Sequence, residues 1–187
     1  MVVCPYGGRA GGKLGTMSVI RPATRQDVPA ILRMIHELAH YEKEPDAVRN
    51  TPGMLEQVLF GDNPRVYAAM AENAAGDVQG FALWFLNYST WEGVHGIYLE
   101  DLYVSPEARG EGHGKALLQH LAAIAVENGY ARVEWSVLDW NEPSINFYRR
   151  LGARPMDGWS TFRLAGEALD QFGRSESSSS LPAASRG

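Results

Sequence analysis

The segment YLEDLYVSPEARGEGHGKALLQHL, Tyr98 to Leu121, places Gly110, Gly112 and Gly114 within five positions, where an apolar strand gives way to an apolar helix. Glycine serves a tight turn by taking up positive φ. Bare backbone at a helix N-terminus also leaves N–H groups open to an anion, and the helix dipole adds to the attraction. Gly110, Glu111, Gly112, His113, Gly114 and Lys115 therefore offer a candidate cradle for a phosphate or pyrophosphate, with Arg109 and Lys115 at hand to add charge. Lys115 fits a solvated first-turn residue equally well. Further on, Asn141 and Tyr148 stand seven residues apart in NEPSINFYRR, about two helical turns, so one helix face carries both. A phenol of unperturbed pKa ~10 is protonated at neutral pH and suits a general acid. Tyr148 also fits a core aromatic packed on a sheet. The third group is the adjacent pair Glu100 and Asp101, on the strand ahead of the cradle. A carboxylate can both attract a cation and take a proton from it. Neighbours on a regular strand face opposite sides, so only one of the two looks directly into a given cleft. A structural ion pair is the competing account.

Several elements must position these groups. SVIRPA has strand character, and Thr24 with Asp27 resembles an N-cap and acidic first turn. Ile31, Leu32, Ile35, Leu38 and Ala39 then predict an amphipathic helix over 25–41. Thr51 followed by Pro52 starts a second helix, to about Phe60. Three strands are expected at Arg65–Glu72, Val78–Tyr88 and Gly96–Val104, the first two joined by a hairpin turn at NAAGD. Ala116, Leu117, Leu118, Leu121, Ala122, Ile124 and Ala125 form the helix behind the glycine turn, ended by Asn128 and Gly129. RVEWSVL reads as a strand, NEPSINFYRRLGA as a short helix capped by Asn141 and closed by Gly152, Trp159–Leu164 as a last strand, followed by a helix to Phe172. Antiparallel meander and crossover helices together imply an α/β fold with a mixed sheet.

At 187 residues the chain has the length of about one domain, and its 45% hydrophobic and 21% charged residues are those of a soluble globular protein. The net charge of −5 gives no broad basic field for nucleic acid, though a local anion site remains possible. VQGFALWFLNY, from Val78, is too short and interrupted to span a bilayer, so no membrane partner is expected. The single cysteine, Cys4, cannot form an internal disulfide, which fits a reducing, cytoplasmic setting. Residues 1–17 read as a glycine-rich flexible leader without the apolar core of a signal peptide, and 173–187 as a disordered serine-rich tail. His36, His40, His95, His113 and His120 show no metal-ligand spacing, so no metal is expected.

ARGEGHG has the R-x-x-G-x-G pattern and resembles the acetyl-CoA pyrophosphate loop of the GNAT N-acetyltransferase superfamily. Asn141, Ser144, Tyr148 and Gly152 are similar to the second GNAT signature, N-x-x-A-x-x-x-Y-x-x-x-G, with serine in place of alanine. Over residues 18–172 the segments VIRPAT, ELAHYEKE, YSTWEG, YLEDLYV and VLDWNEPSINFYRRLGA resemble the diamine acetyltransferase branch, which includes spermidine/spermine and thialysine acetyltransferases; YSTW and VLDWN are more similar to the thialysine members. The resemblance implies a GNAT fold: a mixed, mostly antiparallel sheet with two strands splayed apart and helices on both faces. It implies acetyl-CoA as co-substrate, its arm pairing with the backbone at Leu102, Tyr103 and Val104 and touching Asn141 and Ser144. Asn141 fits a plain N-cap as well.

In the same resemblance Tyr148 protonates the departing thiolate and Glu100 is the base, with Asp101 holding structure or assisting from a bulge. The acceptor side draws on Tyr41, Glu42, Ser89, Trp91 and Asp157, acidic and aromatic groups that suit a cationic amine. Glu42 could be a solvated helix end and Trp91 a hydrophobic plug. The expected activity is direct acetyl transfer in a ternary complex to a primary amine of thialysine, a lysine- or ornithine-like amine, or a diamine or polyamine. Aminoglycoside or protein-lysine acetylation is the rival reaction. A non-catalytic acyl-CoA sensor is the rival class, and it needs neither Tyr148 nor Glu100. A homodimer is implied, with FLNYSTW and DGWSTF offering aromatic anchors.

Overall fold

The computed structural model describes the backbone of residues 2–3 and, in full, residues 18–174. The chain divides into two compact units, at 1–153 and from 154 onward. The first unit opens with β1 (Val2–Val3) and β2 (Val19–Pro22). Behind β2, Thr24 donates from both its N–H and its hydroxyl to the Asp27 carboxylate, which also receives two bonds from the Arg21 guanidinium at 2.7 and 2.8 Å. That corner sets the start of α1 (Val28–Tyr41) after one 3-10 turn, and Val28, Ile31, Met34 and Leu38 form its buried stripe. α2 (Pro52–Phe60) begins as the cap-then-proline pattern predicts, with Thr51 Oγ1 accepting from the Met54 N–H at 3.3 Å.

Strands β3 (Val66–Glu72), β4 (Val78–Ser89) and β5 (Val94–Val104) form an antiparallel meander. α3 (His113–Glu127), β6 (Val133–Glu134) and α4 (Glu142–Arg150) follow. The six-stranded sheet runs β1-β5-β4-β3-β2, with β6 also on β5; β1 and β6 are parallel to β5 and the remaining pairs antiparallel. This is the mixed, mostly antiparallel α/β sheet expected of the sequence. One core lies on the α1–α2 face around Ile31, Met34, Leu55, Met70 and Phe81, and the other under α3 and α4 around Leu99, Leu102, Leu117, Leu121 and Phe147.

Two expected strands come out differently. RVEWSVL forms a ladder only at Val133 and Glu134, opposite Ile97 and Tyr98, because beyond them Trp135 and Val137 pack onto the α3–α4 core instead of continuing along β5. β5 and β6 therefore part after Tyr98. Trp159–Leu164 forms no strand: Trp159 and Phe162 are exposed, and the alternation of apolar and polar types has no neighbouring ladder to serve. The second unit, over its described residues, consists of this irregular stretch and α5 (Gly166–Arg174), which runs two residues past the expected domain end at 172. The expected flexible leader and serine-rich tail lie largely outside the described residues.

Candidate active site

The turn after β5 has the geometry its glycines suggest. Gly110 and Gly112 hold φ of 87° and 97°, in the left-handed region that side chains resist, while Gly114 is already inside α3. Gly112 is the N-cap, and a Cβ placed on it meets nothing within 4 Å among the described residues. The first-turn N–H groups of a helix have no intrahelical acceptor and are available to an anion. Lys115 is exposed beside them. Arg109 is otherwise engaged: its Nε donates to the Val104 carbonyl at 3.0 Å, and its guanidinium lies 5.5 Å from the Tyr41 ring centre and 5.7 Å from that of Tyr103. It braces the end of β5 against α1. His113 turns inward, 1% exposed, with Nδ1 2.8 Å from Ser18 Oγ and Nε2 3.6 Å from the Glu111 carboxylate.

Leu102, Tyr103 and Val104 are buried and pair with Ala82, Phe81 and Gly80 of β4. Their other edge is the one that the resemblance assigns to the arm of the co-substrate. There Val2 and Val3 lie parallel to Leu102 and Tyr103.

α4 brings Asn141, Ser144 and Tyr148 together as the spacing predicts. Asn141 is both a cap and more than a cap. Its Oδ1 accepts from the Ser144 N–H at 3.3 Å and from the Tyr41 hydroxyl at 3.4 Å, while its buried Nδ2 has no hydrogen-bond partner among the described residues. A buried amide donor in that condition is costly unless something accepts from it. Tyr148 is 4% exposed, its ring centre 4.9 Å from Trp135 and 5.2 Å from Phe147, so its ring is fixed by aromatic packing.

The carboxylates are arranged in a way that strand alternation does not predict. β4 pairs Leu83 with Asp101 and Trp84 with Leu99, so Glu100 is the extra residue of a β-bulge. Glu100 is exposed, whereas Asp101 enters a shared electrostatic site with Glu42, 59 positions earlier in the chain. Burial, reinforced by the Asp101 charge, pushes Glu42 up to about 7, and its Oε1 is buried without a hydrogen-bond partner among the described residues. Asp101 is likewise raised, by burial above all, with a small addition from the Glu100 charge. The end of α1 thus contacts both halves, with Glu42 facing Asp101 and Tyr41 bonded to Asn141. Trp140 completes the corner, its ring 5.8 Å from Tyr41 with the Lys43 ammonium 5.1 Å above it. Trp140 sat in plain view beside Asn141, but no local spacing signals its contact with α1. A groove of about 700 Å3 runs alongside, between Glu37, His40 and Tyr41 of α1 and Tyr103, Pro106 and Arg109.

Ser89 and Trp91 are not gathered at this corner. Ser89 is 7% exposed, and its Oγ accepts from the Glu92 N–H at 3.1 Å, so its hydroxyl closes the β4–β5 turn. Trp91, on that turn, is 89% exposed. Asp157 belongs to the second unit and is exposed. Among the described residues no group of three or more His, Cys, Asp or Glu could hold a metal, and no helix is long and apolar enough to cross a membrane.

Comparison with known proteins gives the family of the chain. The model of the acetyltransferase (GNAT) family matches residues 29–153. Thialysine N-epsilon-acetyltransferase of Sus scrofa is 42% identical over 164 residues, covering 82% of this chain and 96% of the relative. The L-ornithine N5-acetyltransferase of Arabidopsis thaliana is 31% identical, covering 81% and 86%. Among solved structures, an integron cassette protein of V. cholerae superposes with a TM-score of 0.71 at 25% identity, over 84% of this chain and 98% of that one. The chain belongs to the GNAT acetyltransferase family, in its thialysine and diamine acetyltransferase branch, and is an amine N-acetyltransferase.

Proposed function

We propose that the protein transfers acetyl from acetyl-CoA directly to the primary amine of a small cationic acceptor, of the thialysine, lysine, ornithine or diamine type. The observation that carries this reading is the double contact of the α1 end, which joins the Glu42–Asp101 acid pair to the α4 face bearing Asn141 and Tyr148. The ammonium of the acceptor enters between Glu42 and Asp101, whose burial makes them stronger bases than exposed carboxylates. A carboxyl with a pKa near 7 is matched to accepting a proton at neutral pH. Glu100, exposed on the bulge, passes that proton to solvent. The freed amine attacks the thioester carbonyl; the carbon–sulfur bond breaks, the thiolate takes the proton of the Tyr148 hydroxyl, and the second proton, shed by the nitrogen as the amide forms, leaves to solvent, from which Tyr148 is reprotonated. Backbone N–H groups of residues 110–115 hold the pyrophosphate, and Asn141 Nδ2 donates to the arm of the co-substrate, which takes the place of Val2 and Val3 along the β5 edge at Leu102–Val104. Arg109 serves by bracing that edge, and Lys115 adds charge.

The names of relatives support an amine acceptor: besides thialysine and ornithine acetyltransferases, a human spermidine/spermine N(1)-acetyltransferase-like protein is 38% identical over 80% of this chain, although the match spans only 23% of that protein. Two chains pair through the exposed Tyr88 of β4 and Trp91 of the β4–β5 turn, which light scattering would detect as twice the monomer mass across dilution. The test of function is thiol release from acetyl-CoA in the presence of thialysine, lysine, ornithine, spermidine, spermine and an aminoglycoside. Turnover with one or more of the small amines is expected. Turnover with the aminoglycoside alone, or binding of acetyl-CoA without turnover, would replace this reading with one of its rivals.

A further inference from the structure

The glycine turn poses a mechanical problem. Gly110 and Gly112 have left-handed backbone angles and no side chains, and the N-cap of α3 makes no side-chain capping bond. A cradle of that composition has more conformational freedom to lose than any other, so an anion site built from it binds well only if something else fixes the turn. Within residues 109–115, Gly110, Gly112 and Lys115 are exposed and Arg109 and Glu111 half-buried. His113 is the single buried side chain beyond glycine, and it points away from the open face, toward Ser18 just ahead of β2. Ser18 lies 95 positions earlier and enters none of the chemistry described above. The Nε2 of His113 faces the Glu111 carboxylate at 3.6 Å. A carboxylate on that side favours the tautomer with the proton on Nε2, which leaves Nδ1 to accept from the Ser18 hydroxyl.

We infer that Ser18 and His113 form a latch that holds the anion-binding turn in its binding shape, His113 being hydrogen-bonded to Ser18, just ahead of β2, while its buried Nε2 makes no hydrogen bond among the described residues and faces the Glu111 carboxylate at 3.6 Å. Ser18 is a positioning residue acting through His113. This rests on the reading of the turn as the acetyl-CoA pyrophosphate site and adds to it the element that preorganises the site. The sequence conceals it: the first position of α3 is where a histidine would be read as contacting the ligand.

The experiment is calorimetric titration of the full chain with acetyl-CoA, beside steady-state kinetics and thermal melting, for the parent, Ser18→Ala, Ser18→Thr, His113→Phe and the Ser18→Ala/His113→Phe double variant. Loss of one hydrogen bond of this type weakens binding by about three- to tenfold. Ser18→Ala is expected to raise the Kd and KM for acetyl-CoA by about that factor, while kcat at saturating acetyl-CoA stays within about twofold. Ser18→Thr keeps the hydroxyl and restores the affinity. Ser18→Ala adds nothing further in the His113→Phe background, because the two residues act as one unit. A folded Ser18→Ala protein with the parental Kd overturns the latch, as does a Ser18→Thr protein that is no better than Ser18→Ala, or an additive double variant. If the parent itself binds no acetyl-CoA, the functional reading fails instead, and the two failures are told apart in one titration series.

Discussion

Residues 109–115 and the carboxylates Glu100 and Asp101 are served by the same strand, β5, yet the two regions are built in opposite ways. The turn is built from backbone on short-range geometry, with left-handed glycines and a helix start within seven consecutive residues. The acid site is made of side chains brought from separate elements, Glu42 at the end of α1 and Asp101 beside a bulge. A backbone site tolerates change in its neighbours but not an added Cβ. A side-chain site depends on burial and on the charges that it gathers, so its properties change with pH and with each acid removed.

The largest effect is expected where the two regions meet the chemistry. Tyr148→Phe keeps the ring that packs on Trp135 and Phe147 but removes the proton donor, and kcat should fall by about 10²- to 10⁴-fold, with acetyl-CoA affinity changed far less. Steady-state kinetics with a parallel titration checks this. A parental rate in the Phe variant would leave Tyr148 as a packing residue and move the general acid elsewhere.

Next comes the turn itself. Gly112→Val places a branched side chain at φ 97°, at a roughly 1–2 kcal/mol disadvantage for the left-handed conformation. Among the described residues no atom lies within 4 Å of the new Cβ, so the chain still folds by releasing the turn from its cradle shape. At 1.4 kcal/mol per tenfold, the acetyl-CoA Kd should rise by about 5- to 30-fold, more where the side chain also fills the anion space. Unchanged affinity in calorimetry would show that the turn is not the anion site and would remove the contrast drawn above.

These two regions also differ in how much of them could be read from the sequence. The glycine turn, the Thr51–Pro52 cap and the Asn141–Tyr148 helix face are local patterns, and the structure has each in its expected element. The acid site was half legible. Glu42, Glu100 and Asp101 were all candidates, but alternation alone cannot say which acid turns inward, because one inserted residue at Glu100 resets the order of faces. Ser89 and Trp91 share a motif, yet the turn that joins β4 to β5 buries the first and exposes the second. The strand expected at Trp159–Leu164 failed for a related reason: alternating side chains are a strand signal only where a neighbouring ladder exists. Burial of His113 against Ser18 depends on packing across 95 positions, which no local period encodes.

A smaller effect tests the electrostatic character of the acid site. The parent's kcat/KM for the amine should rise with pH along a limb near 7, as Glu42 gives up its proton, and Glu42→Gln should flatten that limb and lower activity at neutral pH by about tenfold, modest because Asp101 and Glu100 remain. Stability should move the other way. Glu42 has a folded-state value raised from 4.5 to about 7, so its contribution to stability is present below about 4.5 and is lost as pH rises through about 7. Melting curves should therefore show Glu42→Gln more stable than the parent at pH 8 and without that advantage at pH 4. An equal effect at both pH values would mean that burial does not govern this carboxylate.

The smallest effect concerns the far end of the acceptor. A carboxylate near Trp91 would attract the second ammonium of a long polyamine, and this chain has Ser89 and Thr90 there instead. The two positions are not equivalent. The Ser89 hydroxyl accepts from the Glu92 N–H inside the turn, and an aspartate there would spend its charge on the same donor, so Ser89→Asp should change the ratio of kcat/KM for spermine to that for thialysine by less than about twofold. Thr90 is exposed, and an exposed charge pair contributes about 0.2–1 kcal/mol, so Thr90→Asp should raise that ratio by about 1.4- to 5-fold and lose the gain at high salt. The reverse ranking would place the acceptor's tail inside the turn rather than across its outer face. If neither substitution has an effect, discrimination among amines rests with the half-buried pair Glu42 and Asp101, and the Ser89–Trp91 turn is left as a surface available to a second chain.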